Sequence, residues 1–225
     1  MLIRCIRIIR GELKRLRYDN IPMPKKLLIA TKNQGKVREY RELLADLPFE
    51  VVSLADVGLD AEVEETGATF EENAILKART YARLSGLLTW ADDSGLAVDA
   101  LDGWPGVHSA RVAGPNASDA DRIALLLQRL EGVPPEQRTA AFHCVVAIAT
   151  PDGRVWTTDG MCSGVIIDEP TGRGGFGYDP VFFVPALGKT FAQLSSEEKN
   201  AISHRGMAAR KAKALLARLA AAGEV

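Results

Sequence analysis

Residues 90–101 read Trp90-Ala91-Asp92-Asp93-Ser94-Gly95-Leu96-Ala97-Val98-Asp99-Ala100-Leu101: an apolar approach, two adjacent acids, a serine and a glycine, then apolar residues again. Such a stretch suits carboxylates held at a strand end. In extended backbone successive side chains alternate in direction, so Asp92 and Asp93 point opposite ways, and one faces a cleft while the other braces a turn through Ser94 and Gly95. Taken alone, the segment also reads as a plain Asp-Ser-Gly turn between buried strands. Its company separates the two readings: Glu65, a Thr-Lys-Asn-Gln-Gly-Lys stretch, a glycine-aromatic-Asp loop and a Lys/His/Arg cluster.

Upstream, Lys25 to Thr31 is a short apolar strand, and Val37 to Leu47 carries apolar residues at helical spacing. Between them Thr31-Lys32-Asn33-Gln34-Gly35-Lys36 forms a strand-to-helix loop. Its backbone N–H groups suit an anion, with Lys32 and Lys36 adding charge. It is not a Walker A loop, because Ala30 stands where that pattern has its first glycine and Val37 follows the Gly-Lys pair. Phe49 to Leu54 reads as a second strand, followed by the acidic run Asp60 to Gly67. Thr69 with Glu72 three residues on is a capping box, which predicts a helix over Phe70–Ser85 ending at Gly86. Asn73 and Lys77 share one face of it, and position alone makes that face solvated. Yet the acidic run and the Asp92/Asp93 strand bracket the same helix, which lets Glu65, Lys77 and Asp93 converge.

Downstream, Ser118 and Asp121 cap a helix that runs to about Leu130. Thr139–Thr150 and Arg154–Asp168 read as strands joined at Pro151-Asp152-Gly153. The first is apolar on nearly both faces, as in a central strand covered from both sides, with His143 as a hydrogen-bonded core residue. Gly172 to Pro180 contains four glycines around Phe176 and Tyr178. It is either a hairpin end or a loop that approaches a ligand closely and stacks a base. Ser195 and Glu198 cap a helix leading to Lys199, His204 and Arg205, and a last amphipathic helix spans Met207 to about Ala222.

Composition sets outer bounds. The 225 residues, 47% hydrophobic and 25% charged, suffice for one sizeable core, and a net charge of −1 recommends neither nucleic acid nor an anionic membrane as partner. Cys5, Cys144 and Cys162 have no CxxC spacing and no zinc pattern with the three histidines, so they read as free thiols of a reducing cytoplasm. No apolar run approaches the roughly 18 residues of a membrane span. Residues 1–24 differ from the rest, with Arg4, Arg7, Arg10, Lys14, Arg15 and Arg17 among Ile and Leu, and they read as a basic appendage outside the fold.

Five blocks, ATKNQGK, EETGATFEENAILKA, ADDSGLAVDALDGWPGVHSAR, GGFGYDPVFF and EEKNAISHRG, stand here in the order seen in the inosine/xanthosine triphosphate pyrophosphatases, and the chain resembles that family from about Lys26 to Leu219. The resemblance implies an α/β fold, with a mixed central sheet flanked by helices and an active-site cleft between two lobes, over residues 25–222. It implies a homodimer and Mg²⁺-dependent hydrolysis, with Mn²⁺ a possible substitute, of ITP, dITP and XTP to the monophosphate and pyrophosphate. Carried over by position, Thr31, Lys32, Asn33, Gln34, Gly35 and Lys36 hold the triphosphate, Glu65 and Asp93 serve the metal, and Asp93 and Lys77 are catalytic. Ser94, Phe176, Gly177, Tyr178, Asp179, Lys199, His204 and Arg205 then bind the rest of the nucleotide. Lys32 and Trp104 depart from the family's usual small residues, which bears on phosphate affinity and on the width of the cleft rim. A pyrophosphatase for pyrimidine or modified nucleotides, and a nucleotide-binding module without turnover, are the alternatives. A serine hydrolase built on Ser94 and His204 is disfavoured by the absence of a GxSxG elbow.

Overall fold

The computed structural model describes residues 25–225; the basic head, residues 1–24, lies outside them. Seven strands form one sheet: β1 (Lys25–Ile29), β2 (Phe49–Ser53), β3 (Leu88–Val98), β4 (Thr139–Ala149), β5 (Val155–Ile166), β6 (Phe182–Val184) and β7 (Lys189–Thr190), in the order β2-β1-β3-β4-β5-β6-β7. The β1–β2 and β1–β3 pairs are parallel and all others antiparallel, which is the mixed sheet expected. Among the described residues five α-helices cover it: α1 (Gln34–Leu43), α2 (Phe70–Ser85), α3 (Asp119–Arg129), α4 (Ser196–Ile202) and α5 (His204–Ala221).

As expected from its two apolar faces, β4 is the middle strand. Val146 and Ile148 pack with Trp90, Tyr40 and Leu216 on the α1/α5 side, while Ala147 and Ala149 pack with Ala74, Ala78 and Tyr81 of α2 on the other. The far half of the sheet, Leu96, Val98, Phe142 and Phe182, closes over Leu126 of α3 and its C-cap Leu130 as a second lobe. Helix α2 has the predicted bounds, fixed by the reciprocal Thr69–Glu72 capping box at one end and left-handed Gly86 at the other.

Three boundaries differ from expectation for identifiable reasons. Asn33 Oδ1 accepts from Lys36 N (3.1 Å), an N-cap that draws Gln34, Gly35 and Lys36 into α1 and leaves the preceding loop short. Ser203 caps α5 in the same way, so His204 and Arg205 occupy its first turn. The acids Asp92 and Asp93 are not at a turn: β3 continues through Ser94 and Gly95 to Val98, paired with β4 throughout. It is β1 that stops. Its last pairing with β3 is Ile29 opposite Trp90, so from Ala91 onward the β3 edge is no longer covered by β1. His143 is half-buried and lies parallel to Phe70, ring centroids 6.0 Å apart, so it is a packed side chain at the edge of the core.

Candidate active site

Where β1 ends, a cleft of about 290 Å³ opens beside β3, walled by Ala30 and Lys36 from one lobe and by Phe142 and Tyr178 from the other. Because side chains alternate along β3, the adjacent acids serve two separate charge clusters that flank it.

On the α2 side, Lys77 Nζ lies between two carboxylates, donating to Asp93 Oδ1 at 3.1 Å and to Glu65 Oε1. Arg111 reaches the other Glu65 oxygen. Asn73 Nδ2 donates to Asp93 Oδ2 (3.3 Å). Asn73 and Lys77 are therefore buried, not on a solvated face. Burial opposes the charge of Lys77, but Asp93, Asp92 and Glu65 outweigh it and hold its pKa above the ordinary value. Burial pushes the pKa of Asp93 above its ordinary value, with Lys77 and Lys36 opposing the shift and the Glu65 charge adding to it.

On the α1/α5 side, Asp92 is fully enclosed, with Lys36 Nζ at 2.8 Å and Arg205 Nε at 3.8 Å. Burial raises its pKa, yet these cations prevail and hold it at about 2. Arg205 also donates to Glu39 (2.7 Å) and Ser94 Oγ (3.0 Å), and Lys199 joins Glu39 (2.9 Å) to Asp179 (2.7 Å). Arg205 remains charged. Burial opposes that charge, but Glu39 and Asp92 more than compensate. His204 is stacked on Phe142, 4.6 Å between ring centroids, and burial together with the neighbouring Arg205 and Lys199 keeps it neutral.

The glycine loop forms the far wall. Phe176 packs so tightly on Gly35 that a Cβ there would lie 2.7 Å from its ring, and Lys199 and Arg205 sit 4.8 and 5.3 Å from the ring centroid. Asp179 accepts from Phe176 N (2.8 Å), and Asp119 of α3 accepts from Gly177 N (2.6 Å), so the loop is closed on itself and tied to α3. Tyr178 is buried, and its hydroxyl donates to Ser109 O at 3.0 Å.

Of the residues singled out in the sequence, Thr31, Lys32, Asn33, Lys36, Glu65, Lys77, Asp93, Ser94, Phe176, Gly177, Tyr178, Asp179, His204 and Arg205 border the cleft; Gln34, Gly35 and Lys199 do not. Gln34 is an exposed first-turn residue of α1, and Lys199 braces Phe176 from beneath. Lys32 is paired with exposed Asp60 at 3.1 Å. Trp104 packs against the α3 lobe under the guanidinium of Arg129, so it does not shape the cleft rim. Glu39, Arg111 and Asp119 were missed. A lone charge on a helix or in a loop carries no signal until the fold brings its partner close. Asn73 was on the right face, but its burial depends on the acidic loop folding back over α2.

Residues 27–215 match the Ham1 family. The chain belongs to that family. Among similar proteins, the dITP/XTP pyrophosphatase of Desulforamulus reducens is 55% identical over 194 residues, covering 86% of this chain and 96% of the relative. That of Geobacter sulfurreducens is 56% identical over 183 residues, covering 81% and 92%. The solved HAM1 protein of Coxiella burnetii superposes with a TM-score of 0.78 at 43% identity, covering 86% of this chain and 99% of that one. Among the described residues no helix is long and apolar enough to cross a membrane.

Proposed function

We infer that the protein hydrolyses the non-standard purine nucleoside triphosphates ITP, dITP and XTP to the monophosphate and pyrophosphate. The observation that carries this is more than half identity, over nine-tenths or more of their length, to relatives named dITP/XTP pyrophosphatase. The cleft suits such a substrate. Lys36 and Lys77 bring positive charge for phosphates to its wall, and Phe176, which borders the same cleft, offers an aromatic ring to a base.

Glu65 and Asp93 are fitted to a small hard cation: both carboxylates already converge on one positive centre, the Lys77 ammonium, and the donor set is all oxygen. Among the described residues no cluster of three or more His, Cys, Asp or Glu forms a complete metal cage. Mg²⁺ takes one or two carboxylates and completes its shell with phosphate oxygens and water, and Mn²⁺ would fit the same donors. When bound, the ion supplies charge neutralisation and Lewis acidity.

The side chains themselves account for the rest. Asp93, with its pKa pushed up by burial, accepts the proton of a water attacking the α-phosphorus. The bond from that phosphorus to the bridging oxygen breaks, and pyrophosphate leaves with its charge met by Lys36 and Lys77. Arg205 offers only donors, which a 6-oxo purine accepts. Adenine presents an amino donor there, which a guanidinium, having no acceptor, cannot meet.

A panel of nucleoside triphosphates, assayed for monophosphate and pyrophosphate, tests the reading. Equimolar release of both from ITP, dITP and XTP, with little from ATP, is expected; orthophosphate as first product, or equal use of ATP, would overturn it. The homodimer and the cytoplasmic setting implied by the resemblance belong to the same proposal, and sedimentation should show a two-chain species.

A further inference from the structure

Helix α2 sends into the interior a side chain that does not border the cleft yet touches both acid-bearing segments on that side. Asn73 has no exposed surface. Its Oδ1 accepts from Gly67 N at 2.8 Å, and its Nδ2 donates to Gly67 O and to Asp93 Oδ2, both at 3.3 Å. Gly67 follows Glu65 by two residues. A Cβ on Gly67 would lie 2.8 Å from Asn73 Oδ1 and 2.7 Å from Glu72 Cβ, so the acidic loop is drawn onto the first turn of α2 as closely as backbone allows. Glu72 fastens the same turn, accepting from Ala68 N (2.7 Å) and Thr69 N (3.2 Å).

We propose that Asn73 is a positioning residue: by holding Gly67 and Asp93 with one amide, it sets where Glu65 stands relative to Asp93 and so the ability of the pair to take a divalent cation. This rests on reading Glu65 and Asp93 as the metal-holding pair. An amide suits the task because it donates and accepts at once and is neutral. A carboxylate at this position would repel Asp93, and an alkyl group would leave Gly67 and Asp93 with unmet polar atoms in a buried place. Side chains that orient metal ligands typically cost 10- to 100-fold in metal affinity or activity when removed.

The test is Mn²⁺ binding, followed by electron paramagnetic resonance in the presence of a non-hydrolysable ITP analogue, with the analogue's own affinity measured separately in EDTA. In Asn73→Ala, Mn²⁺ affinity should fall about tenfold or more, while analogue affinity in EDTA stays at the wild-type value because Asn73 does not line the cleft. Gly67→Ala keeps the amide but lifts the loop, so it should show the same split, and it decides the matter if Asn73→Ala does not fold. Wild-type Mn²⁺ affinity in the folded variants, or equal losses of Mn²⁺ and analogue affinity, would overturn the positioning role. Glu65→Gln distinguishes the premise: wild-type Mn²⁺ affinity in that variant would overturn the metal pair itself, and the inference with it.

Discussion

Two carboxylates one residue apart are given different chemistry by the side chains that meet them. Asp93 faces a lysine whose charge is shared, and burial raises its pKa; Asp92 faces Lys36 and Arg205, which hold it at about 2. Asp93→Asn should therefore cut turnover by about a hundredfold or more, as expected for loss of a general base, with nucleotide binding largely kept. Asp92→Asn should show mainly in stability, because it leaves Lys36 and Arg205 buried with less counter-charge, at a cost of about 3 kcal/mol. The pH dependence has a definite sign. Since folding depresses the pKa of Asp92, its contribution is fully present above the unfolded value near 3.8 and is lost as pH falls through about 2. The melting temperatures of wild type and Asp92→Asn should converge over that interval; a constant gap would exclude Asp92 as the origin. The aromatic pair divides in the same way. Phe176→Ala should raise KM for ITP by about 5- to 100-fold, the range for one lost stacking contact. Tyr178→Phe should leave KM unchanged and lower stability by about 1 kcal/mol through the lost bond to Ser109.

At the level of elements, the site exists because β1 is shorter than β3. The strand carrying the acids runs on past its parallel neighbour, and α1 and α2 then approach the uncovered edge from opposite faces. Much of this was legible: the capping boxes of α2, α3 and α4 and the two-faced apolar pattern of β4 are local, so the sequence displays them. What the sequence did not display was long-range. The end of a strand depends on how far its partner extends, which is why Asp92 and Asp93 read as lying at a strand end before a turn at Ser94 and Gly95. Likewise Glu39 acquires meaning only when α5 brings Arg205 to it. Helix α5 is seated by Gly160 of β5, where a Cβ would meet the carbonyl of His204 and lie 2.6 Å from Ala208 N. Gly160→Ala should push the first turn of α5 outward, costing about 1 to 3 kcal/mol and raising KM for ITP, because His204 and Arg205 move with it. An unchanged KM at lowered stability would show that the first turn of α5 is held by Glu39 and Phe142 independently of β5.

At the scale of the whole molecule, the described fold opens with β1, where two exposed lysines lead into Leu27, Leu28 and Ile29, which supply both faces of the sheet. The Ham1 match begins at residue 27 as well. The basic head has six Lys/Arg and two Asp/Glu, a net charge of +4; with −1 for the whole chain, residues 25–225 carry −5. The head therefore contributes charge of the opposite sign to the rest of the protein. Deleting residues 1–22, so that the chain starts at Met23, should leave the melting temperature and kcat/KM for ITP at their full-length values, because the Lys36, Lys77 and Arg205 clusters have their counter-ions within the described residues. The same deletion should visibly weaken retention on a cation exchanger at low salt and have little effect at high salt, where surface charge is screened. A truncated protein that is insoluble, or that turns over ITP more slowly at an unchanged melting temperature, would mean that the head acts on the folded domain, and the boundary at residue 25 would then have to be moved.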